Sequence, residues 1–216
     1  MEYPIPEVTA AEKEFYGDKL IMLEGVISEF FSCMEMIRRY QVSLGRRDPV
    51  ASYQARIKSA DSMKSKLKRQ GLPVNAQSAT EDLFDAAGVR LVCPFIQDID
   101  RTVALIRAIP GVKILQEKDY IRNPKSNGYR SYHIILSMPL RFLGEKQAEV
   151  WLEVQLRTIA MDCWASIEHN LKYKHDIPDQ ALIVQELKRC ADEITSTDLS
   201  LQTIRDLIEQ HEETSV

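Results

Sequence analysis

Apolar positions along the chain fall into three successive patterns. From Ala10 to Arg39, the residues Tyr16, Leu20, Leu23, Ile27, Phe30, Met34 and Ile37 recur at steps of three or four with no proline between them, which predicts one long amphipathic helix. A second helix is predicted from Ser59, an N-cap residue type with Asp61 in the first turn, through Leu67 to the stop signals Gly71 and Pro73. The period then shortens. Val89–Cys93, Val112–Leu115, Tyr129–Leu136 and Val150–Leu156 are short β-rich runs, with a helical stretch around Asp98–Ala108, so the middle of the chain reads as α/β.

In the last of these runs Val150, Leu152, Val154 and Leu156 alternate with Trp151, Glu153, Gln155 and Arg157. One face packs and the other is available for chemistry. A helix is predicted over Ile159–Tyr173. Beyond Pro178, Ile183, Leu187, Cys190, Ile194, Thr197, Leu201, Ile204 and Ile208 alternate four- and three-residue steps, a coiled-coil-like seam that Ser196, Thr197 and Asp198 could break.

With 216 residues, 44% of them hydrophobic and 28% charged, the chain has the make-up of a water-soluble globular protein with one sizeable core. Met1–Ala10 carries prolines and acids, unlike a signal peptide, and no apolar run reaches the roughly 18 residues of a membrane span, so a cytoplasmic protein is expected. The four cysteines, Cys33, Cys93, Cys163 and Cys190, form no C-x-x-C pair and are expected as reduced core residues. A formal net charge of -4 argues against sequence-independent nucleic-acid binding, and no stable nucleic-acid partner is expected.

The charge is nonetheless unevenly placed. Arg56, Lys58, Lys64, Lys66, Lys68 and Arg69 stand against a single acid, Asp61, and on a helix from Ser59 the pair Lys66 and Arg69 shares a face that could grip a polyphosphate. A solvated helix face is the plainer alternative. A second basic stretch, Lys118–His133, contains an Asn-Pro turn and a Ser-Asn-Gly loop tip before its strand. Alternation there predicts Tyr129, Ser131 and His133 on one face, where a ring could stack on a base while Lys125 holds phosphates; a basic hairpin with a structural tyrosine is the alternative.

Phosphoryl transfer also needs carboxylates that hold a metal ion. Asp85, directly before the first β-rich run, and Glu153, on the polar face of the last, are the candidates, since adjacent strands could bring them to one magnesium ion. His175-Asp176 is set aside as a phosphohydrolase dyad because only His133, His169 and His211 remain as further histidines. Glu168 and His169, about 100° apart on a helix, do not converge on a metal.

Four segments in order, R-I-K-S-A-D-S-M-K-S-K, D-A-A-G-V-R-L-V, K-D-Y-I-R-N-P-K-S-N-G-Y-R-S-Y-H and E-V-Q-L-R-T-I-A-M-D-C-W-A-S-I-E-H-N-L-K-Y-K, resemble the synthetase domain of the RelA/SpoT family over Tyr53 to Lys174. The resemblance implies a nucleotidyltransferase-type α/β (α+β) fold, a mixed five-stranded sheet flanked by helices. It implies a small alarmone synthetase without a hydrolase domain, with a helical region over 1–50, the synthetase domain over 51–175 and a helical oligomerisation region over 176–216. The wording at Asn123–Gly128 and Met161–Trp164 is nearer the RelP type than the RelQ type.

By motif, the resemblance assigns Arg56, Lys58, Lys66, Arg69 and Arg90 to ATP, and Lys118, Lys125, Tyr129, His133, Gln155 and Asp162 to GDP or GTP. Asp85 and Glu153 would hold Mg2+, with Glu153 also polarising the 3′-hydroxyl, and the subunits would form a homotetramer. Some relatives carry asparagine at the position of Asp162. Two other functions stay open at this level: pyrophosphate transfer to another acceptor, such as an adenine nucleotide or a tRNA end, and a silent nucleotide- or RNA-binding module.

Overall fold

The computed structural model describes residues 6–141, 149–172 and 180–214. Its centre is one mixed sheet of β1 (Ser52–Ile57), β2 (Ala87–Cys93), β3 (Lys113–Asp119), β4 (Tyr132–Pro139) and β5 (Glu149–Thr158), in the order β1-β2-β5-β4-β3. β2 and β5 run parallel, and the other neighbours are antiparallel. This is the mixed five-stranded α/β arrangement expected. β1 is absent from the β-rich runs of the sequence because it is an edge strand whose alternate residues stay exposed, so its apolar signal is thin.

Val89, Leu91, Val154, Leu156, Ile134 and Leu136 point to one face of the sheet, where they join a core with α2 (Leu20–Ser43) and α5 (Ile96–Arg107). From α2 this core receives Leu23, Ile27, Phe30 and Met34 of the predicted apolar stripe, and Phe31 beside them. The predicted single helix is interrupted, however. α1 (Ala10–Tyr16) ends where Gly17 adopts a φ of 51°, and a 3-10 turn, Gly17–Lys19, leads into α2. Glycine takes that conformation without the steric cost that other residues meet.

Breaking the helix there turns α1 towards α3 (Ala60–Arg69), the basic helix predicted from Ser59. The buried Tyr16 hydroxyl donates to the Lys58 carbonyl at 2.7 Å, and Glu12 accepts from the Ala60 amide at 3.1 Å. A carboxylate on the first turn of a helix satisfies an amide that has no partner within the helix. The short α4 (Ala76–Glu81), capped by Asn75, had no periodic signal in the sequence.

α6 (Ile159–Lys172) and α7 (Gln180–Thr214) follow β5. The break that Ser196, Thr197 and Asp198 could introduce does not occur, and α7 runs through them. The hydroxyls of Thr195, Thr197, Ser200 and Thr203 each donate four residues back to a helix carbonyl, and Asp198 accepts from the Thr158 hydroxyl at 2.6 Å. The seam divides in two. Ile183, Leu187, Cys190 and Ile194 pack with Trp164 and Ala165 of α6, whereas Leu201, Ile204 and Ile208 stay exposed. In that second half α7 is anchored through polar groups: Arg205 reaches the fully buried Asp98 at 3.1 Å, and Asp98 also meets Arg47 at 2.8 Å.

Two smaller expectations are corrected. Cys163 is exposed rather than part of a core, because it lies on the outer side of α6; Cys93 is buried, which pushes its thiol up to about 12. Tyr129 is not in a strand, since β4 starts at Tyr132. His175 and Asp176, with the expected boundary at 175/176, lie outside the described residues. Among the described residues no helix is long and apolar enough to cross a membrane.

Candidate active site

Strand register builds the site on the open face of the sheet. Cross-strand partners point to the same side. Gln54, Arg90, Gln155, His133 and Lys118 are successive partners across all five strands, and Arg56, Gly88, Glu153, Ile135 and Gln116 form the next row. The two rows bring side chains from distant parts of the sequence onto one surface. Gly88 carries no side chain between Arg56 and Glu153, so a cleft opens there, lined also by Gln54, Arg90 and Gln155. A second cleft is lined by Lys118, Tyr120, Lys125, His133 and Glu153. Glu153 belongs to both.

Glu153 is held from two sides. His133 Nδ1 stands 3.4 Å from its Oε1, and the Gln155 amide donates to its Oε2 at 2.9 Å. Burial works to raise its pKa, but the His133 contact and the Gln155 hydrogen bond prevail and hold the carboxyl below its ordinary value. Asp85 lies just before β2, where Lys58 Nζ and Lys66 Nζ each reach its Oδ2 at 2.8 Å. Burial again opposes ionisation, and the two ammonium groups overcome it, so Asp85 also titrates below its usual range.

The two carboxylates fit a divalent cation. Asp85 Oδ1 is buried without a hydrogen-bond partner, and the charge of Asp85 acts on Glu153. Among the described residues no three His, Cys, Asp or Glu side chains gather round a metal position, so further ligands would be substrate oxygens and water.

The first basic cluster divides. Lys58 and Lys66 converge on Asp85, and Arg56 stands in the row of Glu153. Arg69, on the last turn of α3, is exposed and forms no ion pair among the described residues. Lys66 and Arg69 therefore do not meet on one group in this structure.

On the other side, the Tyr129 hydroxyl lies 2.9 Å from His133 Nε2, and Lys125 Nζ sits 4.9 Å from the Tyr129 ring centre. The expected row of Tyr129, Ser131 and His133 is broken at its middle member. Ser131 is fully buried and donates to the Leu156 carbonyl at 3.1 Å, because the loop turns it inward before β4 begins. Lys118 is the register partner of His133. Asp162, on the first turn of α6, pairs with Arg157 at 2.9 Å and with Arg90 at 3.1 Å, linking the sides assigned to the two nucleotides.

Two residues of this surface have no place among the sequence candidates. Arg157 is buried; its Nη2 donates to the Tyr129 hydroxyl at 2.8 Å and to Gln155 Oε1 at 3.1 Å. Its place on the polar face of β5, in phase with Glu153 and Gln155, was the available signal. Tyr120 sets its ring 5.2 Å from His133 and 4.8 Å from Lys125 Nζ, and only its position within the second basic stretch pointed to it.

Residues 55–178 match the family described as the region found in RelA / SpoT proteins, and the chain belongs to that family. It is 42% identical over 147 residues to the GTP pyrophosphokinase YwaC of Bacillus subtilis (strain 168), covering 67% of this chain and 69% of that protein. With the GTP pyrophosphokinase YjbM of the same organism it shares 33% identity over 165 residues, 75% of each chain. The fold superposes on the small alarmone synthetase 2 of Bacillus subtilis with a TM-score of 0.77 and 35% identity, covering 88% of this chain and 98% of that one. The small alarmone synthetase 1 of that organism, bound to its product pppGpp, gives 0.78 and 28%, covering 88% and 96%.

Proposed function

We propose that this chain transfers the β,γ-pyrophosphate of ATP to the 3′-hydroxyl of GDP or GTP, forming ppGpp or pppGpp and releasing AMP. The observation that carries the proposal is the position of Glu153 in both clefts, with Arg56 and Arg90 on one side and Lys125 and His133 on the other. Such a carboxylate is within reach of two substrates at once. A module that only bound polyanions would gain nothing from Asp85 and Glu153 beside its cations.

ATP lies on the β1–β2 side in this reading, its phosphates met by Arg56, Lys58, Lys66 and Arg69, with Arg90 nearby. Lys58 and Lys66, now neutralised by Asp85, turn to the phosphates when these arrive. The guanine nucleotide lies on the β3–β4 side: Tyr129 stacks on the base, Lys118, Lys125 and His133 meet its phosphates, and Gln155 and Asp162 face its base or ribose. Mg2+ held by Asp85 and Glu153 would neutralise charge on the transferred group.

Glu153, ionised at neutral pH, accepts a hydrogen bond from the 3′-hydroxyl and takes its proton as the oxygen bonds to the β-phosphorus. The bond from that phosphorus to the bridging α,β-oxygen breaks, and AMP leaves. Positioning and fixed charge supply most of the acceleration. Incubation with γ-labelled ATP, Mg2+ and each of GDP, GTP, ATP and tRNA, followed by anion exchange, tests the acceptor. Label on guanine nucleotides is expected, and label on tRNA or an adenine nucleotide instead would overturn the assignment.

Tyr129→Ala is expected to raise KM for the guanine nucleotide by a factor corresponding to about 1–3 kcal/mol, the worth of a stacked base, and to leave KM for ATP nearly unchanged. Equal changes for both would place the acceptor elsewhere.

The exposed Leu201, Ile204 and Ile208 support a homo-oligomer, a tetramer in this reading, because apolar stripes of that length are usually covered. Light scattering of the intact chain should give a multiple of the chain mass that falls on Ile204→Glu; a monomeric intact chain would leave the stripe without that role.

A further inference from the structure

The loop that carries Lys125 and Tyr129 has little packing of its own. Asn123, Pro124, Lys125 and Ser126 are exposed, and cover begins only at Asn127 and Gly128. What covers Gly128 is α7. Its φ is 90°, and a Cβ built on it would stand 2.6 Å from Ala191 Cβ and 3.2 Å from Lys188 Cα. Loop backbone and helix therefore meet where each presents its smallest group.

Contacts on both flanks fix the same docking. The Asn127 amide donates to Glu168 of α6 at 2.8 Å, and Arg130 bonds Asp192 of α7 at 3.3 Å while its other arm holds the Ile121 carbonyl at 2.9 Å. Tyr129 packs against a cluster of Trp164, Ala165, Leu187 and Ala191, and the Trp164 indole donates to the Leu187 carbonyl at 2.8 Å, tying α6 to α7. The arrangement that sets the Tyr129 hydroxyl on His133 and Arg157 is thus completed from outside the sheet.

We propose that Ala191 of α7 is a positioning residue for the acceptor: its small side chain lets the loop seat on the helix at Gly128 and so pre-orders Tyr129 and Lys125 for the guanine nucleotide. The proposal rests on the assignment of Tyr129 and Lys125 to that nucleotide. It gives α7 a part in substrate recognition that is separate from its exposed stripe, because Ala191 faces inward and Leu201, Ile204 and Ile208 face outward. A loop held in its binding conformation binds with less ordering cost than one left free.

A larger side chain at position 191 has no space to enter except by lifting the loop. Ala191→Leu should weaken GDP binding, measured by titration calorimetry without ATP, on the order of tenfold, with binding of a non-hydrolysable ATP analogue within about twofold. Ala191→Ser should stay within about twofold of the parent for both ligands. If Ala191→Leu loses helical circular dichroism, Gly128→Ala carries the same comparison from the loop side, with the same split between GDP and the ATP analogue expected. Unchanged GDP affinity, or equal weakening of both ligands, overturns the proposal. Failure of the parent protein to bind GDP, or loss of no GDP affinity in Tyr129→Ala, would instead overturn the underlying site assignment.

Discussion

Glu153→Gln should lower kcat for pyrophosphate transfer by about a hundred- to a thousandfold, the scale on which removing a fixed charge at a reacting centre acts. The substitution keeps the shape of the side chain, and its amide oxygen can still accept from Gln155 or His133, so the open face of the sheet stays intact. What disappears is the negative charge beside both clefts and the proton acceptor for the attacking hydroxyl. These matter most in the transition state, so the affinities for an ATP analogue and for GDP should change little. Single-turnover measurement with labelled ATP and saturating GDP reads the chemical step directly. A fall of less than about tenfold would mean that Glu153 is neither base nor metal ligand.

Asp85→Asn is expected to cost on the order of a hundredfold in kcat and to raise the magnesium concentration needed for half-maximal rate. Asp85 presents one oxygen to Lys58 and Lys66 and keeps the other buried without a partner, so asparagine leaves two cations uncompensated and removes the charge a divalent ion would meet. Nucleotide binding in the absence of metal should not weaken, because the freed ammonium groups remain available to phosphate. Titrating magnesium against initial rate separates the effects. An unchanged magnesium dependence would make Asp85 a structural partner of the two lysines and nothing more.

Both carboxylates were visible in the sequence, and the reason is local. Asp85 stands just ahead of an apolar run, and Glu153 takes a polar position in the strict alternation of β5. The tyrosine and the basic loop were legible for a similar reason, since Asn-Pro and Ser-Asn-Gly mark a turn whatever surrounds them. The register was not legible. That Arg90, Gln155, His133 and Lys118 stand side by side depends on how strands far apart in sequence align, and a shift of one residue would turn them to the other face.

Other differences have equally specific causes. Arg157 read as one more polar residue in an alternating strand, yet it is buried, with Asp162 accepting from its Nη1 and Tyr129 and Gln155 accepting from its Nη2. Ser131 kept the phase of a strand that had not yet begun. The helix break at Gly17 is invisible to a count of apolar positions, because the 3-10 turn returns α2 to the stripe it interrupts. The seam of α7 was regular enough to find, but periodicity cannot say that its first half faces α6 and its second half solvent.

The most direct measurement of the central claim uses ATP labelled at the β-phosphorus, with magnesium and GDP, and follows where the label goes. Attack of the 3′-oxygen on that phosphorus predicts label on the guanine product and unlabelled AMP, in equal amounts. Labelled ADP beside a guanine product carrying a single added phosphate would contradict the account, since it would mean that only the terminal phosphoryl group moves.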